Sequence, residues 1–525
     1  LSAQVLRGTV RDSASRAPIA GAVLVFLDSS GNSIGRNITN EQGRFTIALH
    51  PAMRRLQVLR IGFRPRTVGV PQSVNEELEI VMPLIPRLLD IVSVVDQPNC
   101  PRRPDRPAAF ALWEQARAAL LAAVVAREAN PAEVLRLHFA RRLDRDERIS
   151  EQIVKIDSLS TTRPFVASRS AAEFVEQGFA FDSARSTWYH GPSDETLLDD
   201  AFARGYCFQV AAPERERATQ IGIGFAAAKR ERGRVDIEGV VWIDTASRAL
   251  TDIVFRYVGI TPAAQRVRPG GRISFRTMEN GTVMIDRWFL RTPIVAATAV
   301  NLRAMRAVPI GTVDIGETGG EVARARWPDG REWRASLGTL RGTVVGNGGP
   351  DTELRLIDTD YRAIADSTGA FEISNLVPGP YTIAVVDPTL AAADLLLLTY
   401  DKFTAARDST IRLVVEVPTA YDYAATMCSS DVGSAGNSIV VLRVLKADGS
   451  SAAGANVEVR AIADGNMRRL AEGQTNQTGL FHLCRAPRGA RLQVRAHGFD
   501  SPPVVTAVDI DNKVVTVKLQ LKPPK

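Results

Sequence analysis

"TNEQGRF" at residues 39–45 decides the reading of this chain, because two close copies follow it: "ADSTGAF" at 365–371 and "TNQTGLF" at 475–481. The shared pattern is Asn/Asp-x-x-Gly-x-Phe, carried by Asn40, Gly43 and Phe45, by Asp366, Gly369 and Phe371, and by Asn476, Gly479 and Phe481. Each residue type has a mechanical part. The Asn or Asp side chain closes an Asx turn by accepting a backbone N–H two residues on. Glycine supplies the positive φ that lets the chain reverse into the next strand. The Phe is expected to point inward and anchor that strand in a core. The three together predict a hairpin corner, used three times. A calcium loop is the competing reading, and too few carboxylates converge for it.

The copies extend beyond the corner. Residues 5–83 and 440–521 align with almost no gaps: "VLR" at 5–7 matches 441–443, "RLQV" recurs at 55–58 and 491–494, and Gly62-Phe63 answers Gly498-Phe499. Residues 339–416 form a shorter relative, in which "LRGTV" at 340–344 repeats 6–10. Runs such as "AVLVFL", "RFTIAL", "AFEIS", "YTIAVV" and "NVEVRAI" alternate with period two between Gly, Asn, Asp and Pro. That pattern predicts half-buried strands in antiparallel sandwiches.

With these residues in view, 6–49 resembles the carboxypeptidase regulatory-like domain family, whose members are transthyretin-like (prealbumin-type) sandwiches of about seven strands. "NLVPGPYTIAVV" (375–386) is similar to the family's second signature, and "LCRAPRGARLQV" (483–494) holds that place in the third copy. The third copy departs by lacking the Gly of "RGTV", reading "LRVLKADG" instead. The resemblance implies an accessory module, found beside peptidases, in surface proteins and at the front of TonB-dependent transporters. It implies no peptidase chemistry.

At 525 residues the chain is too long for one core. Its formal charge of +7 is modest for that length, and no basic run interleaves with aromatics, so nucleic-acid binding is not expected. The longest apolar stretches, "AALLAAVVA" (118–126) and "LAAADLLLL" (390–398), are about half of what a membrane helix needs, so no transmembrane segment is expected. "LSAQ" at the start has the small-residue look of the end of a cleaved secretory signal. Cys100 and Cys207 fall in the middle segment, Cys428 and Cys484 in the last module, and none forms C-x-x-C. Two within-domain disulfides, Cys100–Cys207 and Cys428–Cys484, are expected, as suits an oxidising compartment; buried thiols are the alternative.

Residues 100–330 differ in character. A Pro-rich boundary (97–109) precedes a helical run (110–128) whose Phe110, Trp113, Leu120, Leu121 and Val124 share a face interrupted by Arg117. Alternating strand blocks then predict a large curved antiparallel sheet. Their succession is similar to the half-barrels of LolA/LolB-like lipoprotein carriers. That similarity implies an apolar ligand on the concave face, with the helix as lid or plug. "WYHGPSDETLLDDAFARGYC" (188–207) reads as one helix capped by Ser193, with Asp194 and Glu195 in its first turn and Gly205 at its end. Trp188, Tyr189 and His190 before it, with Trp242, are the ligand-contact candidates.

No catalytic residue, metal site or cofactor is assigned. The five histidines include no H-E-x-x-H, and neither a G-x-S-x-G elbow nor a P-loop occurs. Asp236, Glu238 and Asp244 are the carboxylates to consider for glycosidase-type work, against the ordinary occurrence of charge at strand turns. The resulting expectation is a mainly β, non-enzymatic, secreted, periplasmic or cell-surface bacterial protein. Its four units are a sandwich at 5–85, an α+β domain at 100–335, and sandwiches at 338–418 and 436–521. Its partners are proteins or further copies of itself, met through sandwich edges. The alternative is a periplasmic or outer-membrane-associated carrier or receptor accessory with an apolar or glycan (lipid or sugar) ligand in the middle domain. A third reading, a truncated TonB-dependent transporter, rests on "LLDIVSVVD" (88–96); no barrel of about 22 strands fits the remaining length.

Overall fold

The computed structural model describes residues 5–71, 77–85, 100, 106–144, 146–160, 169–182, 187–278, 283–295, 299–301, 306–308, 313–395, 397–428, 437–463, 465–498 and 501–523. The 88–96 stretch and Phe499 lie outside them. The chain divides into two compact units, Leu1–Ala335 and Ser336–Lys525.

The first unit begins with seven strands: β1 (Val5–Asp12), β2 (Val23–Leu27), β3 (Ser33–Ile38), β4 (Arg44–Ala48), β5 (Arg55–Leu59), β6 (Arg66–Gly69) and β7 (Leu78–Met82). They make two sheets, ordered β4-β1-β7 and β3-β2-β5-β6. The same order returns twice in the second unit. There the three-stranded sheets centre on Gly338–Gly346 and Asn437–Leu445, and the four-stranded sheets on the pairs Glu353–Leu356 with Gly379–Val386 and Asn456–Ala463 with Arg491–His497. The sandwiches are not wholly antiparallel. In all three the first and last strands run parallel, as β1 and β7 do. Alternation of side chains cannot report strand direction, so sequence could not distinguish this.

The corner is built as its residues dictate. Asn40 Oδ1 accepts from the N–H of Gln42 at 3.1 Å and also from that of Arg44 at 2.9 Å. Asp366 does the same with Thr368 and Ala370, and Asn476 with Thr478 and Leu480. Gly43, Gly369 and Gly479 have φ of +67°, +80° and +76°. A Cβ on any of them would lie 2.5–2.6 Å from a carbonyl oxygen of the sandwich's first strand: Val10, Val344 or Val444. The position therefore needs glycine twice over, for its dihedral and for that approach.

The anchor is inward in two copies only. Phe45 and Phe371 are 4% and 5% exposed, each lying over a glycine directly across the ladder, Gly8 and Gly342. In the third copy Leu442 occupies that cross-strand place and is fully buried. Phe481 is consequently half-buried and leans over Gly473. Val10, Val344 and Val444 each donate to the corner glycine's carbonyl, so they are the equivalent residues. The identical "VLR" tripeptides at 5–7 and 441–443 are thus two residues out of structural register. A shift of two preserves every side chain's face, which hides it from sequence alignment.

Between the first sandwich and a ten-stranded antiparallel sheet runs α1 (Arg106–Ala129). Sheet order begins at Tyr206–Val210 and proceeds through Gln220–Ala227, Asp236–Asp244, Leu250–Val258, Gly270–Thr277, Val283–Val295 and Val313–Arg326. It then turns to Glu133–Leu143 and Ile149–Ser160, and Glu332–Arg334 adds to the Val313–Arg326 strand. One side of α1 presents Trp113, Ala116, Leu120 and Ala123 to this sheet's core. Its other side packs Leu121, Ala122 and Val125 against Val23, Val25 and Leu59 of the sandwich. The single apolar stripe read from sequence is therefore one of two. By length and composition Ala108–Ala129 would suffice to cross a membrane, longer than the nine-residue stretch suggested; 72% of its most apolar window is buried within the protein. Ile61 from the sandwich enters the sheet's core, so sandwich and middle domain form one unit.

Candidate functional site

The aromatic cluster is built at the start of the 187–210 region. The short strand Thr187–Tyr189 pairs with Ala180–Asp182 and places Tyr189 edge-on to Tyr257 at 5.0 Å. Tyr257 Oη donates to the His190 carbonyl at 2.9 Å. The His190 ring stands edge-on to Phe181 at 5.3 Å, beside the stacked pair Phe174–Phe179. Burial first, then the Arg169 charge, lowers the imidazole pKa below its ordinary value. Trp188 points away and is 62% exposed. Trp242 belongs elsewhere. It is buried outside the core cluster that contains its neighbours Val241 and Ile243, beneath the Arg217 guanidinium at 4.7 Å. The four sequence candidates do not share one site.

The predicted single helix after His190 is two. Ser193 caps α2 (Asp194–Leu198) through the Thr196 N–H at 3.0 Å, as read. Asp199 then leaves helical geometry (φ −69°, ψ 140°) and caps α3 (Asp200–Gly205) by accepting from Ala201 N–H. Asp194 does more than favour the helix terminus. Its carboxylate is 3% exposed and accepts from Arg127 of α1 at 2.5 Å. Arg117, which interrupts the apolar face of α1, pairs with Glu114 and Asp200 and donates to the Leu198 carbonyl.

The three weighed carboxylates are each engaged structurally. Asp236 accepts from Tyr206 Oη, from the Ile237 N–H at 2.9 Å and from Arg234 at 3.2 Å. Glu238 lies between Arg230 and Arg256. Asp244 closes a turn through Ala246 and Ser247, which holds it below the usual carboxylate range. Tyr206 is the residue that sequence reasoning missed. It is 1% exposed, and burial followed by the Asp236 charge raises its pKa far above the ordinary phenol value, so it remains a donor. With Arg204, Lys229, Glu231 and Arg234 it lines a cleft of 440 Å³. Nothing local in "GYCFQV" announces a partner thirty residues away.

The face of the large sheet expected to hold a ligand is filled: Trp113 is fully buried and stacks on Phe208 at 4.4 Å. Among the described residues, no three metal-type side chains cluster. Cys100 is bonded to Cys207, tying the segment before α1 to the sheet's edge strand, and Cys428 to Cys484, tying the entry of the third sandwich to its strand Leu480–Pro487.

Residues 5–83 match the model of the carboxypeptidase regulatory-like domain. No curated protein matches the chain. Among solved structures, hydroxyquinol 1,2-dioxygenase from Pseudomonas putida is 15% identical over 18% of this chain and 58% of its own, TM-score 0.13. Sea bream transthyretin in complex with thyroxine is 17% identical over 16% of this chain and 90% of its own, TM-score 0.14. The streptococcal ancillary pilin is 12% identical over 48% of this chain and 81% of its own, TM-score 0.15. The chain thus spans little more than half of the dioxygenase.

Proposed function

We propose that this chain is a non-enzymatic protein of the bacterial cell surface, periplasm or medium that acts in adhesion or assembly through its sandwich edges. The observation that carries the reading is one strand order built three times, with the 5–83 copy matching a module family. All three sandwiches are read as members of that family. The two disulfides support an oxidising compartment. The engagement of Asp236, Glu238 and Asp244 in turns and ion pairs supports the absence of acid–base chemistry. A helix laid on one face of a continuous antiparallel sheet supports the LolA/LolB-like reading of the middle domain, with its interior occupied by protein.

Assembly would use strands such as Val504–Asp509, which closes one end of its sheet and exposes half of Val505. Light scattering and electron microscopy on protein from its native source test the reading. Concentration-dependent oligomers or fibres that Val505→Lys weakens are expected. A monomer at every concentration refutes assembly, and co-purified lipid or glycan would favour a carrier.

A further inference from the structure

We propose that the groove between α1 and the first sandwich binds a small apolar monocarboxylate, with Arg60 as its counter-ion. The groove has a volume of 460 Å³, within the size range of small-molecule sites. Its apolar lining is Leu59, Phe63 and Pro65 from the sandwich, Ala118 and Leu121 from α1, and Leu198 at the end of α2; Gln57 and Glu114 also border it.

Three polar donors line this apolar trough. Arg60 makes one long contact, 3.4 Å to the Gly21 carbonyl, and no carboxylate pairs with it among the described residues. Burial alone displaces its pKa, downward, with no acidic neighbour opposing that shift. Gln115 is 5% exposed, and its Oε1 is fixed by accepting the Gly62 N–H at 3.0 Å. Because that oxygen must face the N–H, the amide NH₂ is turned the other way, and it makes no hydrogen bond among the described residues. Arg117 Nε is likewise buried and unpartnered.

The charges set the ligand's class. Among the lining residues Arg117 is balanced by Glu114, and its second partner Asp200 lies outside the lining and is exposed, so one positive charge, that of Arg60, remains in the groove. One planar guanidinium matches one carboxylate in a two-bonded fork. An apolar body then replaces water along the walls. A dianion would leave charge unpaired in the trough, and a cation would oppose Arg60.

Calorimetric titration of the full chain with octanoate, 1-octanol and octylammonium tests this. Octanoate is expected to saturate one site and to bind at least tenfold tighter than octanol, with octylammonium weaker still. Arg60→Gln should reduce octanoate to the octanol level. Ala118→Phe, which fills the groove from a half-exposed helix position, should abolish both. The wild-type octanoate-to-octanol ratio stands as a test even where a variant misfolds. Equal binding of octanoate and octanol, octanoate binding indifferent to Arg60→Gln, or no saturable binding at millimolar octanoate overturns the proposal.

Discussion

Replacing Gly479 by alanine separates the two demands made on the corner glycine, because Gly449 of the same sandwich serves as a control. Both have positive φ, +76° and +84°. A Cβ on Gly449 meets nothing within 4 Å, whereas one on Gly479 would lie 2.6 Å from the Val444 oxygen and 3.1 Å from the Ala452 nitrogen. Gly449→Ala therefore costs only the left-handed strain, about 1–2 kcal/mol, reduced by the roughly 0.4–1 kcal/mol gained from a stiffer unfolded chain. Gly479→Ala bears that strain and must also push back the Asn437–Leu445 strand. The Val444 N–H bond to the Gly479 carbonyl, 2.8 Å, is stretched in doing so and loses about 1 kcal/mol. Displacing the packed strand adds up to about 2 kcal/mol, so the expected totals are about 1 kcal/mol for Gly449→Ala and about 2–4 kcal/mol for Gly479→Ala. Hydrogen exchange of peptides covering 437–445 and 480–487 in the full chain reads these locally. At about 1.4 kcal/mol per factor of ten, amides there should exchange roughly 30- to 1000-fold faster in Gly479→Ala and about tenfold or less in Gly449→Ala. Equal acceleration in the two variants would refute the close-approach argument.

All six tryptophans lie between positions 113 and 333, so tryptophan fluorescence reports on the first unit alone. Asp194→Ala leaves Arg127 buried without its partner and should cost about 3–5 kcal/mol, seen as a lower urea midpoint in that signal. In the third sandwich, burial lowers the His482 pKa and its Nε2 finds no partner. Below the ordinary value near 6.5 the unfolded chain therefore binds the proton first, and stability falls as pH drops toward the lowered folded-state pKa. The loss should not exceed about 1.4 kcal/mol per pH unit for this group, and His482→Leu should remove it, as measured by hydrogen exchange at pH 7.5 and 5.5.

Local chemistry was legible in the sequence, whereas of the long-range chemistry only the two disulfides were. Asn40, Gly43 and Phe45 act within six residues, so their turn could be reasoned from residue types alone. The Ser193 cap was readable for the same reason. The Asp199 break was not, because an aspartate inside a helical pattern reads as solvated until its own backbone leaves the helix. Phe481 misled because its place in the core depends on what stands across the ladder: glycine in two copies, Leu442 in the third. The second apolar face of α1 was hidden, since a helix covered on both sides loses the polar stripe that would mark its orientation. Partnerships such as Arg127–Asp194 and Tyr206–Asp236 span 67 and 30 residues, beyond any spacing rule. Trp188, Tyr189, His190 and Trp242 were grouped by chemical type, and the fold assigns them to three different surroundings.

The parallel pairing of first and last strands has a mechanical consequence. A chain that enters a sandwich on one strand and leaves on a parallel neighbour exits at the opposite end, so a pull on its two ends slides those strands past one another. The load then falls together on the ladder joining them, eight residue pairs in the second sandwich and seven in the third, rather than opening it one bond at a time. Modules wired in this way resist tension along the polypeptide, the direction in which flow or a tethered neighbour would stretch it.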